Sequence, residues 1–364
     1  MNIVSLADNT FLVEIPAKLI DPDEKPVLQA TVPKNAGKKG SLLLDFSNVQ
    51  LINGLGAYLF VKLGVLAGPR GQRLLAFGVN SHYRDVFQLT GLEQVIKVYD
   101  SRNEAYRAAG IAEVNQPEKE VTKNVSLDSS HWAGPVTSLS VPEMPTKAIN
   151  RNMQGRRVVG PVNGFGQLWQ KTYRLTIDKP GLTGKEVILA LKQNLPAFQP
   201  PYNRFYPSKA GIIPGEVVAI DSSTPGGPVS TGVLVSYSDE VCFTLMTPQG
   251  HPESGWVTFY AYESERKIIA QITGLARAND PIYEAAFRTV GAKMQVNIWK
   301  YVLTSLAGYL GVPPNITVEP VCIDKHVRWS QACNVWYNAQ IRTILYMPFR
   351  WFGKSRKTSK REGK

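Results

Sequence analysis

The sequence predicts a two-domain protein, an α/β unit followed by an α+β unit. Three observations carry that prediction. Between residues 41 and 109, short apolar runs alternate with stretches of helical periodicity. Between residues 168 and 275, short β-branched and aromatic runs are separated by turn residues. Residues 282–310 then carry one long apolar stripe at helical spacing. At 364 residues, two domains are also the default by length.

The first unit unfolds element by element. Leu42 to Leu44 is a buried strand that ends in Asp45. The turn Asn53-Gly54-Leu55-Gly56 opens a helix with Leu55, Leu59, Leu63 and Leu66 on one face, a spacing of four, four and three. Gly68-Pro69-Arg70-Gly71 stops it, and Leu74 to Val79 is the next strand. A second helix starts at Ser81, a short strand covers Val95 to Tyr99, and Ser101-x-x-Glu104 is a capping box for a last helix. Strands alternating with helices give a sheet covered by helices.

The wording of this stretch, LLDFSNVQLINGLGAY, then FQLTGL, then NEAYRA, resembles the STAS domain of anti-sigma factor antagonists over residues 1–110. The resemblance implies a bacterial regulatory module that docks an anti-sigma or kinase-like protein partner through the turn Asn53, Gly54, Leu55 and Gly56. In the family that turn reads D-S-S-G, and a partner kinase phosphorylates its serine. Phosphate adds about −1.5 to −2 charges at a helix N-terminus. Here Asn53 keeps the N-cap chemistry, but Gly54 has no hydroxyl. The phospho-switch is therefore absent from its usual place. A rival reading, a dinucleotide fingerprint on Gly54-x-Gly56, fails because Leu59 stands where the third glycine belongs.

Residues 111–150 lose the periodicity and are rich in Pro, Ser, Thr and charge, so they read as a flexible linker with His131-Trp132 a loosely packed aromatic pair. Leu168 to Ile177 reads as a strand, and Thr183 with Glu186 caps a helix to about Leu195. The prolines and glycines of PAFQPPYNRFYPSKAGIIPG exclude regular structure there. EVVAI, TGVLVSYS, VCFTLMT, WVTFYAY and KIIAQITGL then form an antiparallel meander with turns at Gly226-Gly227 and Ser238-Asp239. Asp280 and Pro281 start the long helix, and Gly311 and Pro313-Pro314 end it. About 30 residues make a rod of roughly 45 Å, enough to cross a curved sheet.

A strand, a helix, a meander and a long closing helix over residues 151–345 is similar to the START-like (SRPBCC) superfamily. That resemblance implies a helix-grip fold, an antiparallel sheet wrapped around a long C-terminal helix, enclosing a cavity for a hydrophobic small molecule or lipid. Along WVTFYAY, Trp256, Thr258, Tyr260 and Tyr262 alternate with Val257, Phe259 and Ala261. Which set faces the interior is open. The polar-tipped set, with Phe287, Met294 and Ile298 from the helix, is the candidate cavity lining.

Catalysis has thin support. His251, Asp239, Glu240, Tyr260 and Arg204 are the polar candidates, but His251 sits in a Pro/Gly-rich loop and Asp239-Glu240 at a turn. A cyclase-like enzyme acting on an apolar substrate is the alternative, and lipid handling at a membrane surface is another. No cofactor and no metal are expected: Cys242, Cys322 and Cys333 match no zinc pattern, and three cysteines suit a reducing cytoplasm. The start MNIVSLADNT is not a signal peptide, and no apolar run reaches 18 residues. The net charge of +12 is concentrated at the end: residues 314–364 hold 10 Lys/Arg against 3 Asp/Glu. Nucleic-acid binding by either globular unit is thereby disfavoured. The basic tail, 346–364, joins aromatic residues to cations and suits weak contact with a membrane surface.

Overall fold

A computed structural model describes residues 1–20, 25–30, 40–111, 126–141, 147–149 and 151–348. The first unit runs β1 (Asn2–Ala7), β2 (Thr10–Glu14), β3 (Lys18–Leu19), α1 (Lys25–Ala30), β4 (Gly40–Asp45), β5 (Leu51–Ile52), α2 (Gly54–Ala67), β6 (Gln72–Phe77), α3 (Ser81–Thr90), β7 (Ile96–Val98) and α4 (Arg102–Ala109). Its sheet has the order β1-β2-β4-β6-β7, parallel from β2 onward with β1 antiparallel at one edge. Side-chain caps start the helices as expected: Asn53 accepts from the Gly56 N–H and Ser101 from the Glu104 N–H. Helix α4 covers one face, where Ala105 and Tyr106 pack on Leu12, Leu43 and Phe77.

The second unit runs β8 (Val158–Val159), β9 (Leu168–Ile177), α5 (Gly184–Asn194), β10 (Asn203–Tyr206), β11 (Val217–Thr224), β12 (Gly227–Ser238), β13 (Cys242–Pro248), β14 (Glu253–Ser264), β15 (Lys267–Ala278), α6 (Pro281–Ala286), α7 (Ala292–Leu310) and β16 (Ile316–Asp324). Its antiparallel sheet has the order β10-β11-β12-β13-β14-β15-β9-β16, with β8 paired to β13. Helix α5 and the C-terminal half of α7 pack on one face through Val187, Leu191, Val302, Leu306 and Leu310.

Three differences from the sequence reading have physical causes. Asn203–Tyr206 lies in the loop expected to be irregular, yet it forms β10, because it adds to the open edge of β11 without needing a proline N–H. The single long helix is interrupted: Phe287–Gly291 is a π-helical turn between α6 and α7. Residues 126–141 fall in the expected flexible linker but are packed. Trp132 is 6% exposed and donates its indole N–H to the Ile52 carbonyl at 2.9 Å. Buried Asp128 accepts from the Ile52 N–H at 3.0 Å and the Tyr83 hydroxyl at 3.1 Å. A segment of low apolar content is held here by hydrogen bonds to a buried carboxylate, which composition does not report.

The two units share a core. Leu59 and Phe60 of α2 belong to one apolar cluster with Leu234, Met246 and Trp256 of the second sheet. Helix α2 thus lies between two sheets. Apart from Lys62, its sequence, GLGAYLFVKLGVLA, is apolar all round, as a helix buried on both sides requires.

Candidate functional site

Between the second sheet and the first half of the closing helix lies a cavity of about 230 Å³. Period-two alternation sets its wall: Phe205, Ile220, Val233, Leu245 and Val257 project from successive strands, with Gly274 and Ala276 leaving room. The roof is Phe287, Val290, Met294, Ile298 and Trp299. The inward face of α7 is buried from Val302 onward, at Val302, Leu303, Leu306, Ala307 and Leu310, whereas Phe287 and Met294, which border the cavity, are only half-buried. The π-helical turn falls in the roof. Such turns insert one residue into a helix and often mark functional positions.

The wall carries a few polar groups. Thr231 is 2% exposed, and its buried hydroxyl has no hydrogen-bond partner among the described residues. Gln295 donates its side-chain N–H to Glu253 Oε1 at 2.6 Å, and Lys171 Nζ donates to Gln295 Oε1. Burial raises the Glu253 carboxyl above the usual carboxylate range, an effect opposed by Lys171 and Gln295. Burial lowers Lys171 in turn, opposed by Glu253. His251, whose Nδ1 accepts the Glu253 N–H at 3.0 Å, is lowered to about 4 by burial and is therefore neutral. Among the described residues, no group of His, Cys, Asp and Glu is arranged to hold a metal ion.

Of the expected lining, Trp256, Phe287, Met294 and Ile298 border the cavity; Thr258, Tyr260 and Tyr262 do not. Those three, like the Trp256 side chain, point to the opposite face of β14, toward the first unit. Thr258 shares a 2.8 Å hydrogen bond with Thr244, Tyr260 packs on the core shared with the first unit, and Tyr262 stacks on Tyr260. The Trp256 indole stacks on Tyr58 of α2 at 5.6 Å and 5°. Asp239 caps its hairpin, accepting from Val241 N at 2.8 Å and Cys242 N at 2.6 Å. Glu240 pairs with Lys185 on the surface, and Arg204 is exposed on β10. Of the five polar candidates, only His251 reaches the cavity. Thr231, Glu253, Lys171 and Gln295 were not singled out from the sequence. The signal was there for Glu253, which keeps the alternation of Val257 and Phe259.

The turn Asn53, Gly54, Leu55 and Gly56 is wholly buried. A Cβ on Gly54 would lie 1.9 Å from Thr244 Oγ1 and 2.8 Å from Thr258 Oγ1. Two residues on, the Tyr58 hydroxyl follows the same surface and donates to the Thr273 carbonyl at 2.6 Å. Strands β13 and β14 of the same chain therefore cover the turn.

No family model and no curated protein matches this chain. Its structural neighbours include anti-sigma factor antagonists. One is a candidate antagonist from Thermotoga maritima, at 19% identity over 29% of this chain and 92% of that one, TM-score 0.25. Another is the antagonist SpoIIAA in its unphosphorylated form, at 14% identity over 31% of this chain and 98% of that one, TM-score 0.25. The di-domain ARO/CYC StfQ of the steffimycin biosynthetic pathway is similar at 12% identity over 40% of this chain and 53% of that one, TM-score 0.31. Identities and scores this low transfer no activity. Among the described residues, no helix is long and apolar enough to cross a membrane.

Proposed function

We propose that the chain is a non-catalytic binding protein in which a START-like unit holds a small hydrophobic molecule and a STAS-like unit is docked on the back of the same sheet. The observation that carries this reading is the cavity: an apolar wall with one unpaired buried hydroxyl, Thr231, and one protonatable carboxyl, Glu253. An apolar molecule with a single carbonyl or hydroxyl group fits that set. The sheet is one layer thick, so a ligand against Val257 lies one strand thickness from Trp256 and Thr258, which touch the first unit. Ligand occupancy and the exposure of the Asn53–Gly56 turn to a protein partner would then be linked.

A cyclase-like enzyme is the second reading, favoured by the half-buried Lys171–Gln295–Glu253 chain beside neutral His251. One experiment separates binding from a filled core. Phe287→Ala should cost less than the roughly 3–5 kcal/mol of a packed aromatic and should change the affinity for a fluorescent hydrophobic probe. Full core destabilisation with no probe binding, and no ligand extracted from the purified protein, would refute the binding reading.

A further inference from the structure

The turn over residues 151–156 is anchored beneath the helix over 339–348. Met153 is fully buried, and its carbonyl accepts the Arg156 N–H at 2.9 Å. Asn152 takes a positive φ of 65°, which asparagine tolerates better than most residues. Its side-chain amide donates to the carbonyls of Ser230 and Ala339 at 2.9 and 3.2 Å and to the Thr343 hydroxyl at 3.1 Å. One buried side chain thus joins the turn, β12 and the helix over 339–348.

That junction brings three half-buried arginines together. Arg342 donates its Nε–H to Asn152 Oδ1 at 3.2 Å. Arg151, next to Asn152 in sequence, holds its guanidinium 4.7 Å from the ring centre of Tyr346, one helical turn beyond Arg342. Arg156 holds its own 5.1 Å from the ring centre of Tyr337, five residues before Arg342. Among the described residues, no carboxylate pairs with any of the three; Asp221 instead accepts the Ile149 N–H at 2.8 Å. Arg151 Nε is buried without a hydrogen-bond partner. Burial first, and then the charge of Arg342, lower the Arg156 guanidinium below its usual range; Arg151 adds to this and Tyr337 opposes it.

Three like charges set together and half out of water repel one another, so the cluster lacks a counter-charge. The tyrosine rings fix two of the guanidinium planes and leave their in-plane N–H groups to a ligand. We propose that Arg151, Arg156 and Arg342 form a binding site for the dianionic phosphate of a phosphate monoester. Guanidinium forks pair bidentately with phosphate oxygens, and two negative charges answer most of the three positive ones. A singly charged carboxylate would leave two cations unmatched. None of the three arginines lines the cavity, so the site is separate from the hydrophobic one and does not rest on it. The rest of the basic tail, residues 349–364, lies outside the described residues and forms no part of the site.

The test is calorimetric titration and thermal unfolding of the full chain with glycerol 3-phosphate at about pH 8, where the monoester is close to a dianion. Chloride and acetate at matched ionic strength are the controls. Binding of the phosphate probe is expected, with a higher unfolding midpoint that neither control reproduces. Arg156→Gln should weaken binding at least about tenfold, the loss of a charge-assisted pair of bonds. Without the probe its midpoint should be unchanged or higher, because a repelling charge is gone. Should that variant unfold early, Arg151→Gln carries the same test. A second arm uses phosphatidylcholine vesicles containing phosphatidic acid. Capture on these that Arg156→Gln abolishes, with no response to glycerol 3-phosphate, would keep the site and place its phosphate on a lipid headgroup. No binding to either phosphate source, an equal response to chloride or acetate, or binding unchanged in both variants overturns the proposal. So does early unfolding of both variants without the probe, which would make the arginines structural. Each of these failures would leave hydrophobic-probe binding in the cavity intact, so the two readings fail separately.

Discussion

Gly54→Ala is the most direct probe of how the two units meet. The added Cβ would sit 1.9 Å from Thr244 Oγ1, 2.8 Å from Thr258 Oγ1 and 3.1 Å from Thr244 Cβ. None of these atoms ends a long flexible chain. Rotating the Thr244 hydroxyl away breaks its 2.8 Å hydrogen bond with Thr258 in a buried site. Overpacking of this kind costs about 1–3 kcal/mol, and an unsatisfied buried hydroxyl adds roughly 1–3 kcal/mol more. The expected loss is therefore about 2–5 kcal/mol, read as a lower urea midpoint.

Thr244→Ala supplies the control. It removes the atom nearest to the new methyl group but leaves Thr258 Oγ1 at 2.8 Å. The double variant should recover part of the loss, giving a coupling energy of at least about 1 kcal/mol in a double-mutant cycle. If Gly54→Ala unfolds at the wild-type midpoint, the turn does not lie against β13 and β14 in solution. If the two substitutions add without coupling, the clash is elsewhere. Either result removes the intramolecular docking on which the linked reading depends.

Two further outcomes follow from buried ionisable groups. The His251 imidazole is lowered to about 4, below its unfolded value near 6.5, so its contribution is present above pH 6.5 and is lost as pH falls toward 4. His251→Gln should thus reduce the stability lost between pH 7 and 4.5 by about 2 kcal/mol in urea unfolding, and an unchanged pH slope would show that the imidazole is solvated. Asp128→Ala strands the Ile52 N–H, the Tyr83 hydroxyl and one bond to the Trp132 indole, and should cost about 3–5 kcal/mol; a loss below about 1 kcal/mol would mean that residues 126–133 are not clamped.

The elements that were legible in the sequence are those whose signal is local. Thr183 and Glu186 cap α5 by a reciprocal pair of hydrogen bonds, and Asp280 caps α6. Strands β9 and β11 to β15 follow the apolar runs. What was not legible depends on distant partners. Strand β16 has Pro320 in its middle and half-exposed residues, and exists because β9 offers it an edge. The packing of residues 126–141 rests on Asp128 and on Trp132, whose bonds reach back to residue 52. Lys171 and Gln295 carry no local sequence signal, and only the fold sets them beside Glu253.

The face of β14 that lines the cavity was undecidable for a deeper reason. In a sheet with one solvated face, polar residues mark the outside. Here α7 and the cavity lie on one side and α2 on the other, so Trp256 and Thr258 are as buried as Phe259 and Ala261. The alternation that normally orients a strand is erased by the second unit. The trace of that unit was in the other partner. Helix α2 is apolar not only along Leu55, Leu59 and Leu63 but also at Tyr58 and Phe60, more than one sheet can cover. A helix too apolar for its own domain and a strand without a polar face are complementary halves of one interface. Together they argue that the two units fold as a joined body and that the turn at Gly54 is shaped for β13 and β14.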